Sequence, residues 1–170
     1  MCGRFVRSKE IDAIVRDFSV RAVACDLSPS YNVAPTQQVA VIIEDGVKQL
    51  VSVRWGLVPS WASDLSVGNR LINARAETVT QRDSFRDAFE RRGCLVVADG
   101  FYEWRRAAKR RQPIFIRLKC DRAFGFAGSL AAVTQRLLQD PFFHGCSPAL
   151  HSINSDGEIL LQSSFPASRK

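Results

Sequence analysis

Histidine is scarce in this chain, with two among 170 residues: His144 in Phe-Phe-His-Gly and His151 in Ala-Leu-His-Ser. A thiol peptidase acting on other proteins needs a histidine base with an orienting partner, and neither neighbourhood supplies a recognisable one. Long apolar runs are missing too. No stretch approaches the roughly 20 apolar residues of a membrane-spanning helix, and the N-terminus carries no apolar run of the secretory kind, so a cytoplasmic protein with no membrane partner is expected. The five cysteines, Cys2, Cys25, Cys94, Cys120 and Cys146, are odd in number and too widely spaced for a CxxC knuckle. Reduced thiols, no metal and no cofactor are expected. Internal repeats and low-complexity segments are absent, and the length leaves room for one domain, 1–170, but not two.

What is present is positive charge. Lys and Arg number 24 against 17 Asp and Glu, a formal net charge of +7. That balance favours an acidic partner, most commonly a phosphate backbone, whose condensed counterions are released on binding; the plainer alternative is charge that only keeps a protein soluble. Periodicity gives an α+β pattern of mostly hairpin-connected strands with few helices. Ile11, Ile14, Val15 and Phe18 recur at helical spacing behind Ser8, a candidate N-cap. Residues 38–44 and 48–55 read as strands joined by a turn at Asp45-Gly46. Residues 81–92 read as a second amphipathic helix, with Phe85, Ala88 and Phe89 on one face and Gly93 as C-cap. Residues 94–98, 113–118 and 124–130 read as further strands, and 163–170 as a frayed tail.

Three places carry chemistry. Once Met1 is removed, Cys2 presents an α-amine and a thiol on one residue, both titrating within about two units of neutrality, with Arg4 close by to favour the thiolate. Such a 1,2-aminothiol attacks an aldehyde through nitrogen to give an imine and then closes through sulfur to a thiazolidine; the plainer alternative is a cysteine in a disordered start. In Leu71-Ile-Asn-Ala-Arg-Ala-Glu-Thr78, the polar residues Asn73, Arg75 and Glu77 alternate, so an extended chain would set them on one face. A solvated strand edge explains the same pattern, although Asn is a poor strand former. Gly100-Phe-Tyr-Glu-Trp104 sets a carboxylate among large aromatics after an apolar strand, which makes Glu103 the acid-base candidate; the alternative is a surface turn with a solvated Glu.

Met-Cys-Gly-Arg-Phe at the start, Tyr31-Asn-Val-Ala-Pro35, Arg54-Trp-Gly-Leu-Val-Pro59, Leu71-Ile-Asn-Ala-Arg-Ala-Glu77 and Asp99-Gly-Phe-Tyr-Glu-Trp104 together resemble the SRAP family (SOS response-associated peptidase). The resemblance runs from Cys2 to about Gly128, some three quarters of the chain. It implies a barrel-like sheet of mostly antiparallel strands with a few flanking helices. It also implies that Cys2 forms a thiazolidine with the ring-opened sugar of an abasic site in single-stranded DNA and that the protein removes its own Met1. Asn73 would then hydrogen-bond near the cysteine and the sugar, and Glu103 would move protons. Arg4 and Arg75 would hold phosphates, while Asn32, Pro35 and Trp61 would line the DNA channel and stack on or wedge the bases. A monomer is expected, cytoplasmic and associated with the nucleoid when on damaged DNA.

The chain departs from the family pattern after Gly128. Family members carry near the C-terminus a strand followed by a His-Asp-Arg-Met-Pro type segment whose histidine completes the site. Here Ser129-Leu-Ala-Ala-Val-Thr-Gln-Arg follows instead, and the histidine role passes to neither His144 nor His151. Residues 129–170 therefore read as divergent, by frameshift or by replacement, with residues 158–161 as a possible substitute strand. Cross-linking is expected to survive, with sugar ring-opening or reversal impaired. Two further alternatives stand beside it: a non-covalent single-stranded nucleic-acid binding module, and a catalytically impaired family member.

Overall fold

The apolar run Val39-Ala-Val-Ile42 is buried on both of its faces, which is why no polar residue interrupts it. It lies in β4 (Gln38–Asp45), paired antiparallel with β5 (Val47–Arg54) from Gln38↔Arg54 to Asp45↔Val47. Gly46, at φ 71°, makes the turn between them. The computed structural model describes residues 3–107, 110–131, 146–148 and 159–163. Its other elements, in chain order, are β1 (Phe5–Arg7), α1 (Ile11–Phe18), β2 (Ala22–Ala24), β3 (Ser30–Val33), α2 (Arg86–Arg91), β6 (Gly93–Ala98), β7 (Gly100–Ala107), β8 (Arg110–Leu118), β9 (Phe124–Leu130), β10 (Cys146–Pro148) and β11 (Ile159–Ser163).

The strands form two sheets, ordered β11-β8-β7-β1-β3 and β10-β9-β6-β4-β5-β2, and every pairing is antiparallel except β2 with β5. The α+β domain of mostly antiparallel strands is thus as expected, but the barrel-like sheet is corrected to two open sheets among the described residues. The chain crosses from one sheet to the other at Asp99. There β6 ends, β7 begins, and the Asp99 N–H donates to the Val6 carbonyl at 2.8 Å, so consecutive strands diverge instead of pairing onward.

Phe5 and Val33 from the first sheet pack against Val41, Val53, Val96 and Phe126 from the second, with Trp55 among them. The outer face of the second sheet, Ala40, Ile42, Leu50 and Val97, is covered by Ile14 of α1 and by Val20. Each large apolar side chain among them contributes about 1.5–3 kcal/mol by leaving water, whereas exposed pairs such as Arg91–Asp87 and Arg86–Asp83 are screened by solvent and add little. Apolar layers hold the fold.

Both helices are shorter than the periodicity predicts. Helix α1 starts at Ile11 with Glu10 at the cap position and no side-chain cap bond. Ser8 does not cap it, because its N–H and hydroxyl both donate to the Asp99 carboxylate. Helix α2 spans six residues, preceded by a 3-10 turn at Val79–Gln81, and Gly93 opens β6 opposite Ser129 rather than closing the helix. Phe85 and Ala88 pack with Leu57, Val79 and Ala131, while Phe89 is left 45% exposed. The expected strand near 158–161 is β11, paired with β8 from Ile159↔Leu118 to Ser163↔Ile114. Of the expected tail, 163–170, Ser163 instead closes β11 opposite Ile114, and 164–170 lie outside the described residues.

Candidate functional site

Strand β1 lies between β3 and β7, with Phe5 opposite both Val33 and Phe101. That placement assembles three of the candidate residues. Arg4, just ahead of β1, accepts the Tyr102 N–H on its carbonyl at 3.0 Å and donates from Nη1 to Asn32 Oδ1 on β3 at 2.9 Å. Tyr102 in turn donates its hydroxyl to the Tyr31 carbonyl at 3.1 Å, and burial raises its phenol above the ordinary range. Glu103 follows on β7, half-buried and opposite Ile114 of β8. Cys2 lies outside the described residues, as do Met1, His144 and His151.

Tyr102 and Trp104 do not enclose Glu103 as the sequence suggests, because successive side chains of a strand point to opposite faces, and only Phe101 shares its face. Phe101 packs into the core against Phe124 and Phe126, at centroid distances of 6.3 and 5.6 Å. Tyr102 lies against Phe115 at 5.3 Å, and Trp104 is 57% exposed. Gly100 is required at the head of this strand, since a Cβ there would stand 2.3 Å from the Phe115 ring.

Asn73 and Arg75 arrive on another segment. The Ile72 carbonyl accepts from Trp55 Nε1 at 2.8 Å, and the Trp55 ring packs on Phe5 at 5.4 Å. A continuous path, Arg4–Phe5, Trp55, Ile72–Asn73, therefore links this segment to β1. Asn73 is half-buried and Arg75 exposed. The extended alternation stops there: residues 76–78 turn, closed by the Thr78 N–H on the Arg75 carbonyl at 3.1 Å, so Glu77 is not on a common strand face with Asn73 and Arg75.

Pro35 is half-buried between β3 and β4, beside Thr36, whose φ of 74° lets its N–H reach the Trp55 carbonyl at 2.9 Å. Trp61 follows Pro59 in a turn and is 63% exposed, as a side chain available for stacking must be. Among the described residues, no group of three His, Cys, Asp or Glu side chains is placed to hold a metal, and Cys25, Cys94 and Cys120 form no disulfide. Among the described residues, no helix is long and apolar enough to cross a membrane.

One anchoring residue is not evident from the motifs. Asp99 is only 8% exposed, and its Oδ2 accepts from the Ser8 N–H, from Ser8 Oγ at 3.0 Å and from the Lys9 N–H at 2.8 Å. Buried Arg7 donates beside it to the Leu27 carbonyl at 3.0 Å and to the Ser28 carbonyl. Burial lowers the Arg7 guanidinium from its usual range, against the opposing pull of Asp99. A carboxylate directly following the apolar segment 94–98 is the signal that could have marked Asp99 as buried.

These features define an α+β protein in which a half-buried carboxylate lies beside exposed cationic and aromatic side chains. The chain belongs to the family described as SOS response associated peptidase (SRAP), which matches residues 1–146. It is 44% identical over 132 residues to the abasic site processing protein YoqW of Bacillus subtilis, covering 75% of this chain and 59% of that protein. It is 34% identical over 122 residues to the abasic site processing protein YedK of Escherichia coli, covering 68% and 53%. The chain thus spans little more than half the length of these relatives. A crystal structure of a protein from Bacteroides thetaiotaomicron shares the fold with a TM-score of 0.70 at 20% identity, over 87% of this chain and 67% of that one.

Proposed function

We propose that this chain processes abasic sites by capturing them covalently in single-stranded DNA through Cys2, after removing its own Met1 by hydrolysis of the Met1–Cys2 peptide bond. The observation that carries this reading is the fixation of Arg4, two residues from Cys2, by Tyr102 and Asn32, directly beside Glu103. Continued by two pairs beyond Phe5↔Phe101, the β1–β7 register would bring Gly3 across from Glu103. The names of the relatives supply the substrate, and the net charge of +7 suits it.

In this mechanism the Cys2 α-amine attacks C1′ of the ring-opened sugar, and the resulting carbinolamine loses water to give an imine. Glu103 carries the protons that these steps require. The Cys2 sulfur then adds to the imine carbon and its proton passes to nitrogen, closing the thiazolidine with no net change of oxidation state. Asn73 positions the reactants, and Arg4 and Arg75 hold the flanking phosphates. Asn32, Pro35 and Trp61 contact the bases, and stacking tolerates any sequence around the lesion. The protein works as a single-domain monomer in the cytoplasm and is consumed in the cross-link.

The test is to confirm by mass that Met1 is lost, then mix the protein with single-stranded DNA bearing one abasic site and run a denaturing gel. A shifted band that disappears in Cys2→Ala is expected. No band from folded protein lacking Met1 would overturn the covalent reading and leave non-covalent binding, for which exposed Tyr31, Trp61 and Trp104 are the supporting observation.

A further inference from the structure

Arg106 and Arg111 lie directly opposite each other on β7 and β8, both exposed. Like charges in that register repel, and among the described residues neither has an ion pair or side-chain hydrogen bond to offset it. Their neighbour Arg105 differs, donating to Gln112 Oε1 at 3.0 Å on the other face of the hairpin. Strand alternation puts Arg106 on the same face as Trp104 and Tyr102, and Arg111 on the same face as Pro113 and Phe115. This face begins at the Tyr102–Arg4 pairing and ends at two uncompensated guanidinium groups, with an exposed indole between them.

We infer that this face of the β7–β8 hairpin is a second DNA contact, in which Arg106 and Arg111 together clamp a backbone phosphate of the single strand at a distance from the lesion. A phosphodiester relieves the repulsion between the two arginines, and an arginine pair at the end of a row of aromatic rings suits a strand of phosphates and bases better than an acidic protein surface, which offers no bases to stack. From Tyr102 to Arg106 the strand advances on the order of 13 Å. A strand held at Arg4 therefore reaches the clamp only when it continues several nucleotides past the abasic position. The inference rests on the proposed DNA reading but not on its covalent step.

The experiment measures reversible binding of the intact protein to oligonucleotides carrying a tetrahydrofuran abasic analogue, which has no aldehyde and cannot cross-link. One oligonucleotide extends ten nucleotides or so on each side of the analogue, and the other is trimmed to a single nucleotide on each side. Arg106→Ala with Arg111→Ala is expected to weaken the long oligonucleotide several-fold and to reduce the slope of log K against log salt by about 0.7 for each phosphate no longer neutralised. The short oligonucleotide should bind both proteins alike. Arg106→Lys with Arg111→Lys should restore most of the slope, which separates lost charge from a damaged hairpin. An unchanged slope, an equal loss on both oligonucleotides, or competition by polyglutamate as strong as by DNA would overturn the inference. Cross-linking assayed separately with a true abasic site reports on Cys2 alone, so the two failures are distinguishable.

Discussion

The Asp99 carboxylate accepts the backbone N–H of Lys9 at 2.8 Å across a sequence separation of 90 residues. Together with the bonds from Ser8 and the Asp99 N–H on Val6, it pins the end of β1 to the corner from which β7 sets out towards Glu103. Hydrogen bonds to a charged group contribute about 1.5–3 kcal/mol, and removing the acceptor leaves two part-buried backbone donors without it. Asp99→Ala is therefore expected to lower stability by about that amount, read as a fall in the urea midpoint at constant m. Asp99→Asn, which keeps an acceptor oxygen, should recover part of it. An unchanged midpoint in Asp99→Ala would mean that water replaces these bonds at no cost.

Two tryptophans give opposite outcomes. Trp55 is buried, donates to the Ile72 carbonyl and fills the core beside Phe5, so Trp55→Ala should cost about 3–5 kcal/mol by calorimetry or denaturant titration. Trp61 is exposed, and Trp61→Ala should leave stability within about 0.5 kcal/mol. Its effect should fall instead on single-stranded DNA affinity, by about 1–3 kcal/mol if it stacks on a base. Stability and affinity measured on the same two variants test both assignments.

The strands were legible because their signal is local. Residues 124–130 alternate enough to give the bounds of β9, and Asp45-Gly46 states its own turn. The helices were less so. Ser8 has the right chemistry for a cap, yet Asp99 competes for it, and nothing near Ser8 announces a partner so remote in sequence. The division into two sheets was not legible either, since β6 and β7 part at Asp99, whose N–H bonds the Val6 carbonyl far away in sequence. Of the candidate site, the motifs identify Arg4, Asn32 and Glu103, which the fold places just ahead of β1 and on its two neighbours, β3 and β7. They do not reveal that Tyr102 and Trp104 face away from Glu103, because a run of aromatics reads the same whichever face each takes.

Glycine at position 56 is a packing requirement. Its φ is 129°, and a Cβ there would stand 2.4 Å from the Gly68 carbonyl oxygen, which is backbone and cannot swing aside. Backbone held in such a region costs about 1–3 kcal/mol for a residue with a side chain, before the collision is counted. Gly56→Ala should therefore destabilise by more than that range. It should also disturb the segment running to Leu71, whose carbonyl accepts from Leu57 at 3.0 Å and which leads into Asn73. Hydrogen exchange would show weaker protection at Leu57 in the variant. Retained protection there would place the strain elsewhere.

Stability should fall at alkaline pH, in part through Cys25. Burial raises this thiol above its ordinary value of 9.0, with Arg7 opposing the shift and Asp26 adding to it. The raised folded value means that the unfolded chain releases its proton first. The contribution of the neutral thiol is thus complete below about pH 9 and is lost as the pH climbs through the folded value. At the acid end the sign reverses. Asp87, lowered chiefly by its hydrogen bond from Arg92, and Asp64, lowered chiefly by Ser66, favour the fold above the ordinary carboxylate value of 3.8 and cease to do so as they protonate. Both carboxylates are fully exposed, so their share is small and salt should reduce it further. Urea midpoints from pH 7 to 10.5 should drop less steeply in Cys25→Ala than in the native chain. If the two curves fall in parallel, the alkaline loss comes from other groups and the Cys25 thiol is not held protonated by its surroundings.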